Sequence, residues 1–313
     1  MKYQHILSYV YSTPWAMLPA KMHELISVLE YRATGHQFTA EEIRARIGDG
    51  GGTPAASKQG NVVLIPVHGV IAHHMNSMAE SSGGTSCERI GAMIDLVAAD
   101  PNIPTILYSF DTPGGTVTGV QELADKMFAL RGRKKQIAMI DGMAASAGYW
   151  LASQCDEIVC LPTGQAGSIG VLWPPHLNIS GSLEKAGDEV TMISAGKYKT
   201  EWNPYERPSE EAKAEKKAQA DVFYQMFLKH VARGRDVTPG AVENGYGQGR
   251  MLFAKAAKAA NLIDRIATMD EVMGKLVGRR VGDGVRAAAD GAGSPGDGAS
   301  ELLTLEDDGR RLL

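Results

Sequence analysis

Four short runs of apolar and β-branched residues set the fold of this chain: residues 61–67 (NVVLIPV), 104–110 (PTILYSF), 136–140 (QIAMI) and 157–161 (EIVCL). Strands that lack polar alternation must be buried on both faces, which is the condition of a parallel sheet covered by helices. The intervals between them read as those helices. Thr85-Ser86-Cys87-Glu88 has the form of a capping box opening a helix over 90–99, a helix follows near 119–130, and a helix of small residues is expected over 143–153. Strands and helices alternating at this spacing imply repeated βαβ units with right-handed crossovers, hence an α/β fold with a mostly parallel sheet. In such sheets functional sites gather beyond the carboxyl ends of the strands.

The flanks divide the chain further. Residues 48–60 (GDGGGTPAASKQG) are glycine-rich and aperiodic, which reads as a linker between an N-terminal helical arm (1–47) and the main domain (61–280). In the arm, Met22, Leu25, Ile26 and Leu29 recur at helical spacing, and Thr39 followed by Glu41 and Glu42 resembles a second helix start. Later, residues 190–193 are expected as a strand, 209–232 as a long solvated helix with a stripe of Val222, Met226 and Val231, and Thr238-Pro239 as the cap of a short helix. Residues 281–313 lose periodicity and are expected to form a flexible tail.

Composition excludes several classes of function. The formal charge of −4 removes the usual electrostatic reason for a nucleic-acid partner. Cys87, Cys155 and Cys160 cannot all pair with one another and show no CxxC spacing, so neither a disulfide scaffold nor a zinc site is expected. No stretch approaches 18 uninterrupted apolar residues. A cytoplasmic protein without a membrane anchor or signal sequence is therefore expected.

Chemistry is concentrated in three glycine and serine segments that follow strands: Asp111-Thr112-Pro113-Gly114-Gly115, residues 141–149 (DGMAASAGY) and residues 164–171 (GQAGSIGV). Ser146 lies between alanines where a strand hands over to a helix, so its neighbours allow close approach and the helix start presents free N–H groups. A serine in such company is ordinarily a packing choice, and DTPGG alone is ordinarily a turn. Together they place a hydroxyl beside a diglycine loop, with the Gly115 and Ala147 N–H groups able to form an oxyanion hole. A nucleophilic serine also needs a base, and two candidates compete. His176 lies in a proline-flanked loop, whereas Lys199 follows the expected strand 190–193. A lysine acts as a base only where it is desolvated, a role that Tyr198 and Trp202 are expected to fill.

The succession of DTPGG, AASAGYWLAS, GSIGV and GKYKTEWNPY resembles the signal peptide peptidase A family of serine peptidases, whose core is similar to those of the Clp protease proteolytic subunit and of crotonases. The resemblance spans about residues 60–275 and is narrower still to the phage head protease type, the lambda minor capsid protein C kind, which shares a helical arm with a proline-containing start (Ser12-Thr13-Pro14-Trp15), the element Asn203-Pro204-Tyr205 and a closing motif, here Gly249 to Asp264. In that motif Asn261-Leu262 stands where Gly-Leu is usual, and Arg250-Met251-Leu252-Phe253 replaces a simpler run. The resemblance implies a serine endopeptidase with Ser146 as nucleophile, Lys199 as general base, Ser168 orienting Lys199, and Gly115 with Ala147 as oxyanion donors. Asp111 and His176 are left outside catalysis. It further implies polypeptide substrates (scaffold or capsid proteins), no cofactor or metal, assembly into a homo-oligomer, and a place in the bacterial cytoplasm and the assembling procapsid. Two other readings of the same residues are a crotonase-like acyl-CoA enzyme using only the paired N–H groups, and a non-enzymatic capsid scaffold or interaction module.

Overall fold

A computed structural model of the chain describes residues 4–33, 56–74, 84–278 and 301–302. The expected second helix start at Thr39, linker residues 48–55, and tail residues 281–300 and 303–313 lie outside the described residues.

The expected parallel core is present. Strands β3 (Val62–His68), β6 (Thr105–Thr112), β8 (Lys135–Ala145) and β9 (Glu157–Cys160) pair in parallel in the order β3-β6-β8-β9. Their side chains alternate between two apolar clusters. Ile106, Tyr108, Phe110, Ala138 and Ile140 face one side and Leu107, Ile137 and Met139 the other, which is why the runs in sequence show no polar alternation. Helices α3 (Cys87–Ala99), α4 (Val120–Ala129) and α5 (Ala147–Ala152) and the long helix α7 (Glu210–Arg235) bury the first face, and helix α10 (Met269–Val277) contributes Val272 to the second. Short helices α6 (Ser180–Ala186), α8 (Pro239–Gly245) and α9 (Ala254–Ala259) complete the order; α8 is capped by Thr238 with Pro239 at its start, as expected.

Several local expectations are corrected. The cap of α3 is Ser86, whose hydroxyl accepts from the Arg89 N–H, while Thr85 bonds the His68 backbone and Glu88 pairs with His74, so the anticipated box is one residue out of register. The small-residue helix begins only at Ala147, because β8 continues through Ala145. The linker span already contains β2 (Ser57–Gln59), a hairpin partner of β3 across Gly60, itself paired antiparallel with the short strand Glu301–Leu302. On α7 the buried residues are Ala212, Phe227, Leu228, Val231, Ala232 and Gly234; of the expected stripe, Val231 is buried and Met226 packs against the core while Val222 is exposed, because burial is concentrated in the C-terminal half of the helix.

A second, four-stranded sheet runs β1 (Trp15–Met17), β7 (Gly114–Thr116), β4 (Val70–Ala72) and β5 (Gly84–Ser86). Its edge strand β1 belongs to the arm, between α1 (Gln4–Ser12) and the expected α2 (Pro19–Ala33). The arm has its own core of Ile6, Val10, Trp15, Met17, Met22, Leu25, Ile26 and Leu29, closed against Val70 and Ala72.

Candidate active site

The site lies where β6, β8 and β10 (Gln165–Gly167) end. β10 runs parallel to β8 with Gly167 opposite Ala145, so Ser168 and Ser146 leave adjacent strands at the same level. Both have left-handed backbones, φ 54° and 52° respectively. Ser146 also has ψ −114°, a conformation costly for a residue with a Cβ. The strain is held by bonds on either side: the Ser146 N–H donates to the Gly167 carbonyl (2.8 Å) and its carbonyl accepts from Trp150 N–H (2.9 Å). The turn thus throws the serine hydroxyl off the end of a strand while starting a helix, the geometry of a nucleophile elbow. Ser146 is 1% exposed, and its hydroxyl donates to the Gly170 carbonyl at 3.2 Å.

Helix α5 is fixed by its surroundings. A Cβ at Gly148 would lie 2.3 Å from Thr112 Cγ2, so only glycine lets the helix close on the end of β6. Trp150 stacks on Phe227 of α7 at 4.4 Å and donates its Nε1–H to His230 Nδ1 (2.8 Å). Burial, joined by the neighbouring Arg233 charge, lowers the His230 pKa, in keeping with that acceptor role. Tyr149 donates to the Leu262 carbonyl at 2.8 Å, tying α5 to the closing motif. There Asp264 accepts from the Ile158 N–H (2.7 Å) and from both Nη atoms of Arg235 (2.6 and 3.1 Å). Burial opposes its ionisation, yet these bonds and the Arg235 charge hold the Asp264 carboxyl below its ordinary range. Asn261 has φ 62°, which accounts for glycine being usual there and for asparagine being a workable replacement.

Gly115 lies in β7, opposite Ala16 on one side and Ile71 on the other. The preceding Gly114 N–H is taken up by Thr112 Oγ1 at 3.1 Å. Asp111 sits at a bulge between β6 and β8, its carboxylate accepting from the Met143 N–H. The structure therefore brings Ser146, Ala147, Ser168 and the diglycine segment into one corner.

It does not bring Lys199 there. Residues 190–193 form no strand, Ile193 is 96% exposed, and Lys199 lies in an exposed turn whose N–H bonds the Gly196 carbonyl. The desolvation expected from Tyr198 is absent: that ring is exposed, with its hydroxyl on Glu211 at 2.9 Å. A β-branched run supplies strand propensity but no partner edge, and among the described residues none pairs with it. His176 is engaged elsewhere, bonding the Asn203 carbonyl (2.7 Å). The cysteines offer no rival nucleophile, since burial first, with Glu122 adding to it at Cys87, pushes the Cys87 thiol up to about 12, and burial alone does the same at Cys160. Among the described residues no group of three or more His, Cys, Asp or Glu is placed to hold a metal, and no helix is long and apolar enough to cross a membrane.

Missed in the sequence was β1, only three residues long and hidden between a proline and a helix start. Pro14 biases only Thr13 toward extended backbone, one residue short of a signal for β1 itself.

Residues 129–279 match the model of peptidase family S49. The chain is 31% identical over 243 residues to capsid assembly protease C of Escherichia phage lambda, covering 73% of this chain and 55% of that protein. It is 30% identical over 248 residues to head-tail preconnector protein GP5 of Enterobacteria phage P21, covering 77% and 48% respectively. The chain thus spans about half the length of these curated relatives.

Proposed function

Because the chain belongs to peptidase family S49, we propose that it is a serine endopeptidase in which Ser146 attacks the scissile carbonyl, Lys199 takes and returns the proton, and the Gly115 and Ala147 N–H groups hold the oxyanion. The observation that carries this reading is the strained Ser146 backbone at the β8 to α5 junction, since a structure maintains an unfavourable conformation of that kind where a side chain must be presented. Ser168, leaving the neighbouring strand with the same backbone twist, is read as the group that orients the lysine. The phage relatives favour scaffold or capsid polypeptides as substrates, and cleavage within a procapsid in the bacterial cytoplasm.

The placement of Lys199 adds a requirement. Its segment, with Val190, Met192, Ile193 and Tyr198 exposed, must fold over Ser146 or reach it from a second copy, and that apolar exposure supports a homo-oligomer as the working form. Ser146→Ala is expected to lower casein hydrolysis by at least about 10³-fold with the melting temperature unchanged, because the change removes one oxygen and leaves almost no cavity. Retained hydrolysis by the folded variant would exclude the nucleophile.

A further inference from the structure

The space between β7 and the segment after Ser168, beside Ser146, is filled by this chain's own strand β1. Strand β1 lies between β7 on one side and the segment after Ser168 on the other, antiparallel to both. Trp15 exchanges both backbone bonds with Leu172, each at 2.9 Å. On the opposite edge the Leu18 N–H donates to the Pro113 carbonyl (2.9 Å) and the Pro14 carbonyl accepts from Val117 (3.4 Å). Backbone direction alternates along an antiparallel strand, so with Trp15 facing Leu172, the N–H and carbonyl of Ala16 face β7, where the residue opposite is Gly115. The Ala16 carbonyl therefore stands at the N–H assigned to the oxyanion.

Three further contacts fix how near this is to the nucleophile. A Cβ built on Gly114 would fall 2.2 Å from the Ala16 oxygen and 3.0 Å from both Met17 Cα and the carbonyl oxygen of Ala145, the residue before Ser146. The Ser146 hydroxyl bonds Gly170, two residues before the strand's partner Leu172. Side chains divide accordingly: Trp15 and Met17 enter the arm core, whereas Ala16 enters the main cluster with Ala144 and Ala147.

We infer that residues 13–17 are a built-in occupant of the peptide-binding groove, held by strand addition as a substrate backbone would be, and that the arm must withdraw β1 before another polypeptide can be cut. This rests on Ser146 being the nucleophile and Gly115 an oxyanion donor. The arm is thereby a competitive plug whose release sets activity.

The test uses the full chain and an alkyl fluorophosphonate that labels reactive serines, with Ser146→Ala as blank. Trp15→Ala removes the side chain that anchors β1 in the arm, and Ala16→Pro removes the N–H facing β7. Both are expected to raise the Ser146 labelling rate tenfold or more over the unaltered chain. Equal rates in folded variants and the unaltered chain would overturn the plug and leave the nucleophile standing. No labelling in any of them would remove the nucleophile assignment, and the plug with it. Should the variants not fold, hydrogen exchange on the unaltered chain decides: saturating trialanine aldehyde is expected to deprotect the Trp15 amide while the Leu172 amide stays protected. Aldehyde bound with Trp15 still protected would overturn the inference.

Discussion

The corner that carries Ser146 and the segment that carries Lys199 are built on opposite principles. Around Ser146 residues 144–152 and 166–169 are buried, with backbone bonds on both sides of the strained residue and aromatic, threonine and carboxylate contacts bracing the helix that follows. Around Lys199 the chain makes local turns, Ile193 and Tyr198 face solvent, and the segment touches the exposed start of α7 through Tyr198 and Glu211 and the His176 loop through Trp202 and Asn203. One half of the proposed dyad is fixed by the fold of a single chain. The other half awaits contacts that a single chain in this conformation does not supply. Strain can be stored only where packing over-determines it, so the proposed nucleophile sits on the rigid half, and the proposed base, on the loose half, is left to arrive with substrate or with a neighbour.

The largest expected effect breaks this contrast at the loose half. Lys199→Ala is expected to lower casein hydrolysis by about 10²- to 10⁴-fold, the usual contribution of a general base, with thermal stability unchanged because the side chain is exposed. Lys199→Arg should be nearly as inactive, since a guanidinium stays protonated and cannot accept the serine proton. If the lysine comes from a second copy, mixing the Ser146→Ala and Lys199→Ala proteins restores measurable hydrolysis; if it folds over its own serine, the mixture stays inactive. An active Lys199→Arg protein would move the search for the base elsewhere.

The same contrast explains what could be read in advance. Residues whose conformation is set by their own strand and turn were legible: the apolar runs gave β3, β6, β8 and β9, and small residues marked the turn at the end of β8 where Ser146 sits. Elements whose conformation depends on distant partners were not. Residues 190–193 have strand propensity without a paired edge, the docking of Phe227 and His230 of α7 follows from Trp150 some 80 residues earlier in sequence, and β1 exists because β7 and Leu172 offer it two edges. Propensity is local, whereas pairing and docking are long-range, and only the first is written in a short window.

A smaller effect sharpens the rigid half. Asp264 joins β9 to α7 by bonding the Ile158 N–H and Arg235, and Asp264→Asn is expected to cost about 1–3 kcal/mol of stability at neutral pH, as for loss of a charged hydrogen-bonding partner. Because the folded carboxyl lies below its ordinary range, its contribution is complete above the unfolded value of about 3.9 and is lost as pH falls through the lower folded value. The stability difference between the two proteins, measured by urea unfolding, should therefore shrink below about pH 4. A difference that stayed constant through that range would mean that the charge of Asp264 is not what the junction uses.

The smallest effect concerns Asn261, where glycine is usual in the resembling motif. Its φ of 62° favours glycine, while its side chain accepts from Arg235 Nη2 at 3.2 Å and donates weakly to the Tyr246 hydroxyl at 3.4 Å. Asn261→Gly exchanges those bonds for backbone ease and is expected to alter stability by no more than about 0.5 kcal/mol in either direction. Asn261→Ala loses both the bonds and the tolerance of a left-handed backbone, and should cost about 1–2 kcal/mol. Equal losses for glycine and alanine in urea unfolding would show that the Arg235 bond matters here and the backbone angle does not. A larger loss for alanine would identify the angle as the constraint, and would place the Asn261 turn among the features that keep Leu262 under Tyr149 and so hold the helix that starts at Ser146.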